Sequence, residues 1–203
     1  MVLGSHVIFS AYGFWLPNDP RGSWSDFVGA WELRRFGPAT KTTERRSVAH
    51  CAHNQDLRLA AKEALKYAPV HFSSRQALAV ATGFRNYIRK SGLTVWACSI
   101  LPDHVHMVVA RFRTTVEQIV VQLKGEATQQ LVRENLHPVA DKRLPNGRPP
   151  KCWVRGEWKV FLDSVEDIVR SIEYVRQNPI KEGKPAQEWS FVTPFDPASV
   201  QFV

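Results

Sequence analysis

The chain has 203 residues, of which 44% are apolar, enough for one domain of ordinary size with a buried core. No apolar run approaches the ~20 residues of a membrane span, and the start Met1-Val2-Leu3-Gly4 lacks the basic-then-apolar order of a secretory leader. Twenty-seven Lys and Arg against nineteen Asp and Glu give a net charge of +8, which suits a polyanionic partner, because phosphate neutralisation releases counterions.

Cys51, Cys98 and Cys152 are odd in number and far apart, so they form no disulfide framework and the expected home is a reducing cytoplasm. Val7 to Phe9 reads as a first strand. The Pro- and Gly-rich stretch Tyr12 to Gly22 reads as an ordered loop, and residues 31–46 as basic and irregular. Asp56 to Tyr67 has the composition of a helix. Ser73, with Gln76 three residues on, signals a helix start, and Gly92 signals its end.

Leu93 to Leu101 reads as a strand, Pro102-Asp103 as a turn and His104 to Ala110 as the next strand. A long helix is predicted over Thr115 to Asn135, although Gly125 costs it something. Residues 137–151 form a Pro-rich basic loop, Trp158 to Leu162 a short strand, and Ser164 to Asn178 a helix closed by Pro179. With residues 14–72 set aside as an insertion, the order βαββαβ predicts an α+β fold. It is the ferredoxin-like split motif: an antiparallel sheet with helices on one face, here followed by one more helix. The other sheet face is then free to hold a site.

His104-Val105-His106-Met107-Val108-Val109 is the sharpest local signal. Alternate strand residues share a face, so His104 and His106 project together while Val105, Met107 and Val109 point into the core. Two such imidazoles make a two-toothed metal platform. The bland alternative is a pair of strand histidines bonded to neighbours. In the last helix Val165, Ile168, Val169, Ile172 and Val175 form the apolar stripe. Tyr174 lies roughly 160° from the centre of that stripe, with Asn178 one turn on along the same face. By itself the helix reads as one with an ordinary surface tyrosine.

Pro102-Asp103-His104-Val105-His106 after a strand, then Glu173-Tyr174-Val175-Arg176-Gln177-Asn178-Pro179, resembles the HUH single-tyrosine transposases, above all the REP-associated ones. The resemblance covers residues 73–184 well and 5–9 loosely, and it leaves residues 14–72 unmatched. It implies a single catalytic domain of ferredoxin-like fold. It also implies that His104 and His106 bind a divalent metal, Mg²⁺ or Mn²⁺, with Asn178 as third ligand and Tyr174 as the nucleophile. The activity implied is cutting and rejoining of single-stranded or hairpin DNA through a 5′-phosphotyrosine, without ATP. A water-based metal phosphodiesterase and a non-catalytic nucleic-acid-binding domain are the competing readings. One tyrosine per chain means that two cleavages need two rounds or a homodimer. Such an enzyme is expected in the cytoplasm, on the nucleoid when bound to DNA.

Arg148, Lys151, Arg155 and Lys159, interleaved with Trp153 and Trp158, form a candidate DNA track, and Arg170 and Arg176 lie near the tyrosine in sequence. Arg34, Arg35, Lys41, Arg45 and Arg46 form a second basic cluster, for which a solvated face is the equal alternative. His50-Cys51-Ala52-His53 lacks the second pair that a zinc site needs. If the loop touches phosphate, neutralising Arg148, Lys151 and Arg155 flattens the fall of log affinity with log salt. On single-stranded DNA the slope changes by about 0.7 for every phosphate that the variant no longer neutralises. Binding titrations at several salt concentrations measure the two slopes, and equal slopes mean that the loop does not touch phosphate.

Overall fold

The helix signals in the sequence are met by the caps that they predict. In the computed structural model, which describes residues 1–17, 19, 28, 31–37 and 54–199, Ser73 and Gln76 close a reciprocal capping box at the start of helix α2 (Ser74–Ser91). Gly92 ends α2 at φ 75°, a left-handed conformation that glycine adopts without strain. Thr115 and Gln118 repeat the box at helix α3 (Val116–Arg133). Helix α1 (Gln55–Glu63) is shorter than its sequence pattern, which runs on to Tyr67.

Strands β1 (Gly4–Ser10), β2 (Val95–Ile100), β3 (His104–Ala110) and β4 (Trp158–Leu162) make one sheet in the order β2-β3-β1-β4, with every pair antiparallel. This is the ferredoxin-like arrangement expected. Val7 and Phe9 of β1 join Val105, Met107 and Val109 of β3 in a core closed by Val80 and Phe84 of α2 and Ile119, Leu123 and Leu131 of α3. The opposite face has its own cluster, in which Leu3, Trp96, Val108 and Leu162 meet Ile168, Ile172 and Val175 of helix α4 (Val165–Lys181). Helices α2 and α3 therefore cover one face, and α4 packs on the other.

Two expectations about α4 are corrected. The helix does not close at Asn178 but runs through Pro179 to Lys181. Proline lacks one N–H, which in the last turn removes a single hydrogen bond, and its buried ring joins the packed face. The apolar stripe is also rotated. Val169 is 49% exposed, whereas Asn178 is buried beside Ile168, Ile172 and Val175. The buried face has swung toward Tyr174, which lies about 110° from its centre, at the edge of the packed surface rather than opposite it.

Within residues 14–72, Leu16, Leu33, Phe36 and Ala61 form a small separate cluster. The segment is tied back where Tyr67 stacks on Tyr12, ring centroids 4.0 Å apart, and where Phe72 donates its N–H to the Pro102 carbonyl. Lys41, Arg45, Arg46 and the His50-Cys51-Ala52-His53 motif lie outside the described residues. Among the described residues no helix is long and apolar enough to cross a membrane.

Gly83 sets how closely α2 and α3 pack. A Cβ there would stand 2.6 Å from the Ala127 Cα and 2.7 Å from the Glu126 carbonyl oxygen, both of which are backbone. Gly125 of α3 has nothing within 4 Å of the same position. Helix propensity favours alanine over glycine at both sites by about 1 kcal/mol, but overpacking costs about 1–3 kcal/mol. Gly83→Ala should therefore lower the thermal unfolding midpoint and Gly125→Ala should raise it, as calorimetry will show.

Candidate active site

Alternation in β3 carries His104, His106 and Val108 to the α4 face, as the sequence pattern predicts. Val108 packs against α4, while Val105, Met107 and Val109 lie in the opposite core. The ring centroids of His104 and His106 are 4.9 Å apart. Each has Nδ1 engaged, which leaves Nε2 as the other ring nitrogen. His104 Nδ1 lies 2.7 Å from Asp103 Oδ1, and since a carboxylate only accepts, the proton sits on that nitrogen. His106 Nδ1 lies 3.1 Å from Nε2 of His6 in β1.

His6 is not apparent from a first strand that starts at Val7. It has the opposite parity to Val7 and Phe9, so a strand begun at Gly4 puts it on the histidine face. Its ring centroid lies 5.3 Å from that of His106, 5.7 Å from Tyr174 and 5.8 Å from Trp158. Burial lowers the His6 pKa to about 4. It also holds His106 well below its ordinary value, helped by the charges of His104 and His6. Both rings are therefore neutral at pH 7, the form that offers a lone pair to a metal.

Tyr174 reaches this cluster from α4, its ring centroid 5.6 Å from that of His106. The phenol is raised above its usual pKa, first by burial and then by the Glu182 carboxylate. Lys181, two turns on and without a motif to mark it in the sequence, holds its Nζ 5.2 Å from the Tyr174 ring centroid. Asn178, one turn on from Tyr174, is buried with its Nδ2 unpartnered. Ser10 stands opposite His104 and Ser99 opposite His106 in the strand register. Each serine is 1% exposed, with a hydroxyl that has no hydrogen-bond partner.

An unpaired buried polar group costs about 1–3 kcal/mol, and these three line the histidine pair and its tyrosine helix. Among the described residues no three His, Cys, Asp or Glu side chains are grouped so as to hold a metal ion. A cation would thus rest on two imidazoles, with amide, solvent or phosphate oxygens completing its shell. Neutral rings with Nδ1 engaged fit that role, and Asn178, whose unpaired atom is the donor Nδ2, would have only its amide oxygen to offer a cation.

The candidate DNA residues scatter. Arg148, Lys151 and Arg155 are exposed. Trp153 is not a stacking surface: it is 7% exposed and packs in the core against Phe9 and Phe72. Lys159 pairs with Val7 in the register, so it faces away from the histidines, and its Nζ bonds to the Glu117 carboxylate of α3. Trp158 has the opposite parity and stands beside His6. Arg170, one turn before Tyr174, is held by Asp167 of its own helix, 2.5 Å away. Arg176 lies about 160° round α4 from Tyr174 and is exposed.

The sequence matches no protein-family model and no curated protein. Among solved structures it is similar to a REP-associated tyrosine transposase bound to a REP hairpin, at 13% identity and a TM-score of 0.46, covering 94% of this chain and 76% of that one. It is also similar to a Deinococcus radiodurans R1 chain named as a candidate transposase, at 13% identity and a TM-score of 0.39, covering 92% of this chain and 94% of that one. Neither likeness assigns an activity to this chain.

The depressed histidines set a pH dependence. The unfolded chain binds more protons than the folded one between pH ~6.5 and ~4, so His6 costs the metal-free protein about 1.4 kcal/mol per pH unit as the pH falls through that window. Urea unfolding at pH 7 and pH 5 should show a smaller loss of stability for His6→Phe than for the parent chain.

Proposed function

We propose that this chain cuts and rejoins single-stranded or hairpin DNA, with Tyr174 as nucleophile, as its resemblance to HUH single-tyrosine transposases implies. The observation that carries the reading is the meeting of Tyr174 with His106. The two are 68 positions apart in the chain, on a helix and a strand, and their ring centroids come within 5.6 Å.

In this mechanism the Tyr174 oxygen attacks the scissile phosphorus in line. A P–O bond to tyrosine forms, the P–O3′ bond breaks, and the phenolic proton ends on the departing 3′ oxygen. The products are a 5′-phosphotyrosine and a 3′-OH, and attack by another 3′-OH reverses the step and joins strands. His104, His106 and Asn178 would hold a divalent cation, Mg²⁺ or Mn²⁺, which when bound supplies positive charge to the non-bridging phosphate oxygens. Burial holds the Tyr174 proton on at neutral pH, and the Lys181 ammonium is the nearby group that favours its release. Trp158 offers a ring for a base beside the scissile phosphate, and Arg148, Lys151 and Arg155 offer charge for the strand. Residues 1–203 act as one catalytic domain, with 14–72 as its insertion.

The test incubates protein, Mn²⁺ and end-labelled hairpin DNA and resolves the products on a denaturing gel. The parent chain should give nicked DNA and a protein band shifted by attached DNA. Tyr174→Phe should give neither, while its stability stays within about 0.5 kcal/mol, as expected for loss of a hydroxyl at the edge of the packed face. An adduct that survives the substitution overturns the tyrosine assignment. Cutting without an adduct makes water the nucleophile, and binding without cutting by the parent chain reduces the protein to a binding module.

A further inference from the structure

His6 belongs to neither of the motifs that mark the site, yet it occupies the middle of it. It touches His106, Tyr174 and Trp158 and is 7% exposed. Its Nε2 stands 3.1 Å from His106 Nδ1, so one of these two nitrogens carries a proton and the other receives it. His104 shows what the same place does for the neighbouring ring, where the Asp103 carboxylate at 2.7 Å fixes the proton on Nδ1 and leaves Nε2 unprotonated.

We propose that His6 is a positioning residue that accepts the Nδ1–H of His106, so that both histidines of β3 present an unprotonated Nε2 on one side of the sheet. The inference rests on the metal reading of the site and names a residue for it that the HxH pattern does not contain. Its chemistry is that of a ring held by a neutral acceptor. His6 keeps its own proton on Nδ1 and offers the lone pair of Nε2. A carboxylate in this place would add a buried charge, whereas an imidazole adds none. A hydrogen-bonded outer partner of this kind is worth about 10–100-fold in metal affinity.

Three measurements test it. Long-range proton–nitrogen correlation spectra of the metal-free parent chain should show His106 protonated at Nδ1, and protonation at Nε2 would overturn the proposal. Calorimetric titration with Mn²⁺ should show His6→Phe binding about 10–100-fold more weakly than the parent, with His6→Gln, which keeps an acceptor, recovering part of the loss. Parent-like affinity in a folded His6→Phe also overturns it. If His6→Phe does not fold, the tautomer in the parent chain decides alone. His106→Ala separates the two levels: unchanged Mn²⁺ binding in that variant removes the metal reading itself, whereas lost binding there with normal binding in His6→Phe removes only the role of His6.

Discussion

The period of two in β3 is the constraint on which the rest of the structure depends. A strand sends successive side chains to opposite faces, and both faces of this sheet are covered, by α2 and α3 on one side and by α4 on the other. Val105, Met107 and Val109 fill the first core, so His104 and His106 have only the second face to occupy. A slip of one residue would put three apolar side chains among the polar groups and two imidazoles into a dry core, which makes the register nearly obligatory. The same alternation in β1 puts Val7 and Phe9 with the core and His6 with the histidines.

The site is costly in polar terms, and its costs are concentrated. His6 and His106 are stripped of water, and the Ser10 and Ser99 hydroxyls and Asn178 Nδ2 are buried without a partner. The rest of the α4 face is apolar, with Trp96, Val108 and Leu162 meeting Ile168, Ile172 and Val175. The polar and apolar halves of one interface thus divide along the strands: the apolar half holds α4 in place, and the polar half is what α4 holds Tyr174 against.

That division explains where Tyr174 sits. A helix packed by its full predicted stripe would turn Tyr174 away from the sheet. Exposure of Val169 and burial of Asn178 and Pro179 rotate the packed face by part of a turn and bring the tyrosine to its margin, 45% exposed yet with its ring beside two histidines. The role proposed for Tyr174 needs this compromise, since a nucleophile must face both the site and the solvent from which a strand arrives.

Local chemistry was legible in the sequence wherever one residue's neighbours along the chain decide its conformation. The capping box at Ser73, the glycine stop at Gly92, the bounds of β3 and β4 and the shared face of His104 and His106 follow from spacing alone, because hydrogen bonds and side-chain parity act over a few residues. What depends on packing was not legible. Trp153 looked like a stacking surface in a basic loop, but an isolated bridge between Ala11 and Trp153 draws that loop against the sheet and its ring into the core. Lys159 looked like part of a DNA track, but its pairing with Val7 sends it to the far face. The rotation of α4, the run of that helix through Pro179 and the place of His6 between His106 and Tyr174 were likewise decided only in three dimensions. Each depends on which surfaces meet, and residues a hundred positions apart, such as His6 and His106, carry no mark in the chain that they will share a hydrogen bond.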